Sequence, residues 1–231
     1  MLEASYHNRQ AMIPSELERI TISDTEIEVW LARLDLDANV VSQYASLLSP
    51  DEQERAHCFH FEHDRRRFTV TRGVLRTLLG KHLGIASKSV KFTQTEKGKP
   101  LVIGASIHFN VSHSHERALI AISNTKPVGV DIEYLAREAN YVALAERYFT
   151  PNEYATIQSL PKAQHKHAFL ICWTCKEAVA KASGEGLFLS LGSLEVISPP
   201  GFTISQRVNG HALYKTEIDD DYAAAVAVSV N

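Results

Sequence analysis

The chain has 231 residues, 45% of them hydrophobic, enough to bury a core as one large domain or two small ones. A formal net charge of −3 argues against a general nucleic-acid binder, and no apolar run reaches the roughly 18 residues of a membrane span. Three cysteines do not suggest a disulfide framework, and the N-terminus lacks the basic head and apolar run of a signal peptide, so the cytoplasm is the expected compartment.

Residues 1–25 are polar and mixed, and read as a lead-in with a short helix or turn near Pro14. From Glu26 to Leu34, Ile27, Val29 and Leu31 alternate with Glu28 and Trp30, which predicts a strand. Ser49-Pro50-Asp51-Glu52 is a helix start, with Ser as N-cap, Pro in the first turn and acids after it. That helix runs toward Phe61. A second runs from His63-Asp64 to about His82, with Gly84 as its stop. Strands are expected at 90–93, 107–111 and 117–123, the last two joined by a loop over Ser112–Glu116. Thr95 to Pro100 is a turn-rich loop carrying Lys97 and Lys99.

Asn124 to Pro127 is the best candidate boundary, dividing the chain into 1–124 and 125–231. Beyond it come a strand at 128–133, helices at about 137–147, 151–160 and 163–183, and strands near 194–198, 202–208, 212–217 and 222–229. The alanine-rich tail from Tyr222 to Val228 suits a buried strand, although its alanines would also make a helix. A weak repeat runs through this order: in each half a strand precedes a helix opened by Ser49-Pro50 or Thr150-Pro151, then a longer helix, then strands.

Two stretches carry chemistry. In Val128-Gly129-Val130-Asp131-Ile132-Glu133 the two carboxylates share one side of a strand, while Val130 and Ile132 point into the core. Side by side they repel unless a cation intervenes; the bland alternative is a charged strand end in solvent. In the second, Trp173, Glu177 and Lys181 recur four residues apart on one helical face. Such a Glu/Lys pair by itself usually just supports its helix. Together the three carboxylates Asp131, Glu133 and Glu177 form an oxygen donor set suited to Mg²⁺ or Mn²⁺ rather than zinc.

The motif Gly129-Val130-Asp131-Ile132-Glu133, then Phe149 to Tyr154, then Trp173-x-x-Lys176-Glu177-x-x-x-Lys181, resembles the Sfp-type 4′-phosphopantetheinyl transferases. Phe109-Asn110-Val111-Ser112-His113-Ser114 and Gly98-Lys99-Pro100 are similar to two further blocks of that family, in the family's order from about Ser49 to Leu187. The resemblance implies an α+β fold of two similar α/β lobes in one chain, pseudo-twofold related, with the active site at their interface.

It also implies roles. Asp131, Glu133 and Glu177 would hold Mg²⁺. Ser112 and His113 would contact the phosphates or ribose of coenzyme A, with Arg55, Arg67 and Lys99 as phosphate contacts and Arg72 next. Glu52 stands where some family members carry a lysine, which shifts the phosphate load onto the arginines. Glu177, directly or through a water on the metal, is the candidate base, and Lys181 would stabilise or protonate the leaving phosphate. The acceptor would be a serine of an apo acyl or peptidyl carrier protein. Such a carrier, acidic around that serine, would dock against the segment from Phe149 to about Lys166, meeting Lys162 and Lys166. With both lobes in one chain, a monomer is expected.

Other readings weigh less. Cys172-x-x-Cys175 with His165-x-His167 or His113-x-His115 has some likeness to a zinc or redox pattern, but mid-helix cysteines among apolar residues commonly act as small hydrophobes. A carrier- or nucleotide-binding module without catalysis would not need the carboxylate and lysine set. A different Mg²⁺-dependent phosphotransferase is disfavoured, because no P-loop or Rossmann glycine pattern occurs.

Overall fold

The computed structural model describes residues 14–24, 26–185, 191–198, 200–216 and 218–230. Most of the expected lead-in, 1–13, lies outside them.

The N-terminal half holds β1 (Leu17–Ile20), β2 (Ile27–Arg33), α1 (Ala38–Ala45), α2 (Pro50–His57), α3 (Glu62–Leu83), β3 (Phe92–Gln94), β4 (Pro100–Val102), β5 (His108–Ser114) and β6 (Arg117–Ser123). The C-terminal half holds β7 (Val128–Tyr134), α4 (Tyr141–Tyr148), α5 (Pro151–Ser159), α6 (His165–Ser183), β8 (Arg207–Val208), β9 (His211–Thr216) and β10 (Tyr222–Ser229). Two four-stranded antiparallel sheets result, in the orders β1-β2-β6-β5 and β7-β10-β9-β8, with β3 and β4 as a separate hairpin.

Each sheet buries one face under its long helix. Val70, Val74, Leu75, Leu78 and Leu79 of α3 pack with Trp30, Ala32 and Ile120. Phe169, Cys172, Cys175, Ala178, Val179 and Ala182 of α6 pack with Ala223, Ala225 and Ala227. The other faces meet each other: Ile27, Val29, Leu31, Leu119 and Ala121 pack against Val128, Val130, Ile132, Ala224 and Val226. The architecture is helix, sheet, sheet, helix. Covered on both sides and paired on both edges, the alanine-rich tail is a strand, not a helix.

The repeat extends to side chains. Both second helices open on a capping box, Ser49 with Glu52 and Thr150 with Glu153, and both box glutamates are buried. Glu52 receives Arg76 Nε at 2.6 Å, and Arg76 also donates to the carbonyls of Ser87 and Val90. Glu153 pairs with Lys176 at 2.6 Å, and Lys176 likewise donates to the carbonyls of Leu191 and Leu194. Both long helices stop at a glycine with positive φ, Gly84 (65°) and Gly184 (70°). These matches make the two lobes similar units, α+β in class.

The strands expected near 194–198 and 202–208 shrink to an Ile197–Ile204 bridge and β8. Local expectations are also corrected at 17–20 and 112–114, and a helix stands at 38–45 where none was expected. Leu17–Ile20 is a strand, because it pairs with the edge of β2. The segment 38–45 is a helix, seated where Tyr44 packs against Gly73 of α3, a spot too tight for any side chain there. Ser112, His113 and Ser114 belong to β5, leaving only His115 and Glu116 as the turn to β6. None of the described helices is long and apolar enough to cross a membrane.

Candidate active site

The site forms where α6 crosses β7. A side chain at Gly129 would overlap the carbonyl of Ala178 and the amide of Ala182, so glycine lets the helix lie directly on the strand. This close approach brings Lys181 Nζ within 2.6 Å of Asp131 Oδ1. Ser112 Oγ donates to the same oxygen at 2.7 Å, and Lys181 also reaches Ser112 Oγ at 3.2 Å. Next along β7, Glu133 receives Ser114 Oγ at 3.0 Å and Arg137 at 3.0 Å.

Asp131 is only 4% exposed, and its Oδ2 is buried with no hydrogen-bond partner. Burial pushes its pKa up and Glu133 adds to this, against the opposing pull of Lys181 and Ser112. The Glu177 pKa is also raised, first by burial and then by the negative charge of Asp131, with Lys181 opposing and Glu133 adding. The three carboxylates thus feel one another, with Lys181 on Asp131 and Arg137 on Glu133 as the cations among them.

Among the described residues, no three acidic, histidine or cysteine side chains converge as a ready-made metal cluster. The donor chemistry nonetheless fits a hard divalent cation: an orphaned carboxylate oxygen at Asp131 with two further carboxylates coupled to it.

Beside this group lies a cleft of about 720 Å³. Trp173, Glu177, Ala180 and Lys181 of α6 form one wall, with Tyr148 and Leu191, so one face of α6 does present all three residues spaced by four. Lys97, Gly98, Lys99 and Pro100 at the β3–β4 hairpin also line it, with Asn110 of β5. Tyr148 meets Trp173 edge-on at 5.6 Å, and Trp173 stacks on Phe169, which stacks on Phe149.

The expected phosphate contacts are placed unevenly. Lys99 lines the cleft, but its ammonium donates to the carbonyls of Lys181 (2.7 Å) and Ala182 (3.2 Å) at the end of α6; burial lowers its pKa. Arg67 is held by Asp64 and Glu116. His113 is exposed on β5, and its pKa is lowered by desolvation, then by Lys181 and Arg67, with Asp64 and Glu133 opposing. Arg55 is exposed, its guanidinium over the Phe68 ring. Arg72 is bound to Glu52 and stacked on Phe92 with 4.4 Å to the ring centre, and like Arg55, Arg67, Ser112 and His113 it is not among the residues lining the cleft. Glu52, which stands where some family members carry a lysine, is 5% exposed and bound by both Arg72 and Arg76.

In the carrier segment, Phe149 is core, Lys162 is exposed and Lys166 reaches Glu138 at 3.3 Å. The Cys172 and Cys175 thiols are buried, and burial first of all pushes their pKa values up, Cys175 to about 12, which disfavours the thiolate that metal or redox chemistry needs. Sequence reasoning passed over Asn110 and Tyr148; Asn110 carried a signal, since it belongs to the Phe109–Ser114 motif.

Known proteins resemble the chain along most of its length. Residues 127–227 match the model of the 4′-phosphopantetheinyl transferase superfamily, and residues 37–125 that of the 4′-phosphopantetheinyl transferase N-terminal domain. The 4′-phosphopantetheinyl transferase HetI of a Nostoc species is 38% identical over 215 residues, covering 91% of this chain and 90% of its own. The transferase gsp of Aneurinibacillus migulanus is 30% identical over 191 residues (81% and 79%), and Sfp of Bacillus subtilis 28% over 192 (81% and 84%). The two matches meet at the junction between the two sheets, and the enzyme belongs to the 4′-phosphopantetheinyl transferase family.

Proposed function

We propose that the enzyme transfers the 4′-phosphopantetheine arm of coenzyme A to a serine of an apo acyl or peptidyl carrier protein, with Mg²⁺ required, releasing 3′,5′-ADP. Residues 1–124 would supply the coenzyme A phosphate contacts, and 125–231 the metal-binding and catalytic residues. The observation that carries this reading is the orphaned Asp131 Oδ2 beside a cleft lined by Glu177, Lys181 and the Lys97–Pro100 loop. A diphosphate entering there would meet Lys181 and the lysines of that loop.

Asp131, Glu133 and Glu177 would hold Mg²⁺, which when bound neutralises charge on the diphosphate. The carrier serine oxygen attacks the phosphorus bearing the pantetheine arm, and the bond from that phosphorus to the bridging oxygen breaks. Glu177, a carboxylate lining the cleft, would take the serine proton, directly or through a water. Lys181 faces the charge that grows on the departing 3′,5′-ADP. Arg55, Arg67, Lys99, Ser112 and His113 orient the donor. Arg72, engaged with Glu52, is the next phosphate contact after them.

Intact-mass spectrometry of apo carriers incubated with enzyme, coenzyme A and Mg²⁺ tests this. One added phosphopantetheine, lost with EDTA or in Glu177→Gln, is expected. A carrier panel that stays unmodified while coenzyme A binds would overturn the reading in favour of a non-catalytic binder.

A further inference from the structure

Asn110, Ser112 and Ser114 alternate along β5 and project to one side. All three reach β7. Asn110 Oδ1 accepts the Val130 N–H at 2.9 Å, and Ser114 Oγ accepts the Tyr134 N–H at 3.0 Å while donating to Glu133 Oε2 at 3.0 Å. Ser112 donates to Asp131 between them. β5 and β7 are outer strands of their respective sheets, and no backbone ladder joins them. An outer strand leaves its N–H groups without strand partners. Here the side chains of one lobe take the N–H groups of the other on both flanks of Asp131 and Glu133.

We propose that Asn110 and Ser114 are positioning residues for the carboxylates of this site: they set β7 against β5 so that Asp131 stands beneath Lys181 and Glu133 follows on the same side. The inference rests on the metal-binding reading above. Register matters because a slip of one residue would turn Asp131 toward the inter-sheet core and Val130 toward Lys181. Asn110 is fitted to the role by depth, being 7% exposed, and by an acceptor that reaches farther than a serine hydroxyl. Neither residue needs to touch the donor.

The test compares Asn110→Ala, Ser114→Ala and Ser114→Thr, the last keeping the hydroxyl. Three measurements are made: amide hydrogen exchange at Val130 and Tyr134, Mn²⁺ affinity by calorimetry without carrier, and coenzyme A affinity in EDTA. The alanine variants should lose exchange protection at the amide each side chain holds. Their Mn²⁺ binding should weaken about tenfold or more, the scale seen when groups that orient metal ligands are removed. Coenzyme A affinity in EDTA should hold within about twofold, kcat should fall more than KM for coenzyme A rises, and Ser114→Thr should match the unaltered enzyme. If Asn110→Ala does not fold, the Ser114 pair decides alone. Unchanged Mn²⁺ affinity in the alanine variants, with only a lower Tm, would overturn the proposal and leave ordinary lobe packing. Failure of the unaltered enzyme to bind Mn²⁺ would overturn the metal reading and this inference together, a result distinct from variant-only effects.

Discussion

The two lobes repeat one order of elements, each a four-stranded sheet under a long helix, and their differences locate the chemistry. Aligning the faces that meet between the sheets pairs Ile27, Val29 and Leu31 of β2 with Val128, Val130 and Ile132 of β7. On the helix-facing side, Glu28, Trp30 and Ala32 then correspond to Gly129, Asp131 and Glu133. The long helices correspond through Arg76 with Lys176 and Gly84 with Gly184, which pairs Thr77 with Glu177 and Lys81 with Lys181. Where the C-terminal lobe buries Asp131 with an orphaned oxygen, the N-terminal lobe buries Trp30 in its core, at 3% exposure. Where one has Glu177, the other has Thr77, whose hydroxyl donates to the Gly73 carbonyl of its own helix. One scaffold thus serves twice, once filled for stability and once hollowed and charged.

The buried ion pairs test how far the lobes really match. Glu153 and Lys176 are both fully buried and form a one-to-one ion pair, whereas Glu52 is held by two arginines. Lys176→Met should therefore cost the most stability, about 3–5 kcal/mol for a buried charge left unpaired. Arg76→Met should cost less, since Arg72 still faces Glu52. Urea unfolding measures both, and the double change Glu153→Gln with Lys176→Met should recover much of the loss. Equal losses for the two single changes would mean that Arg72 contributes nothing to the pair.

Much of this frame is legible in the chain. Thr150-Pro151 opens α5, Gly184 ends α6, and β6 covers the expected residues, because these signals are local. What is not legible depends on distant partners. Ser112 to Ser114 reads as a polar loop, yet it is a strand whose polar side chains are satisfied by β7, about twenty residues further along the chain. Arg72 reads as a phosphate contact, yet it is bound to Glu52 on another helix, twenty residues earlier. The common face of Trp173, Glu177 and Lys181 follows from helical period alone. Its seat over Asp131 does not, because it requires Gly129 to let α6 approach.

That approach gives the second contrast. Gly129→Ala should destabilise by about 1–3 kcal/mol, because backbone rather than a flexible side chain fills the space. It should also lower turnover at least tenfold, since α6 carries Glu177 and Lys181 away from Asp131. The counterpart Glu28 has a side chain with room to hydrogen-bond Trp30 and His82, so Glu28→Ala should cost about 1 kcal/mol and leave turnover near its original value. Thermal denaturation with a turnover assay separates the two. A Gly129→Ala enzyme of unchanged activity would show that the helix can ride higher on the strand without disturbing the site.

The smallest expected effect is the sharpest in sign. Lys181 donates to Asp131 Oδ1 at 2.6 Å, so a positive charge already neutralises the carboxylate that a divalent cation would use. Lys181→Met removes that competitor from three mutually repelling carboxylates. Mn²⁺ binding in the absence of donor should tighten about tenfold, some 1.4 kcal/mol, even as turnover falls. Lys81, exposed at the matching place in the other lobe, faces no such carboxylates, and Lys81→Met should leave Mn²⁺ affinity unchanged. The direction is opposite to that expected for Asn110→Ala, although both side chains border Asp131. Calorimetry on the two variants therefore distinguishes a group that holds the carboxylates in place from one that holds their charge. Weaker Mn²⁺ binding in Lys181→Met would assign Lys181 to the first kind: its ammonium would then be ordering Asp131 for the cation rather than standing in for it.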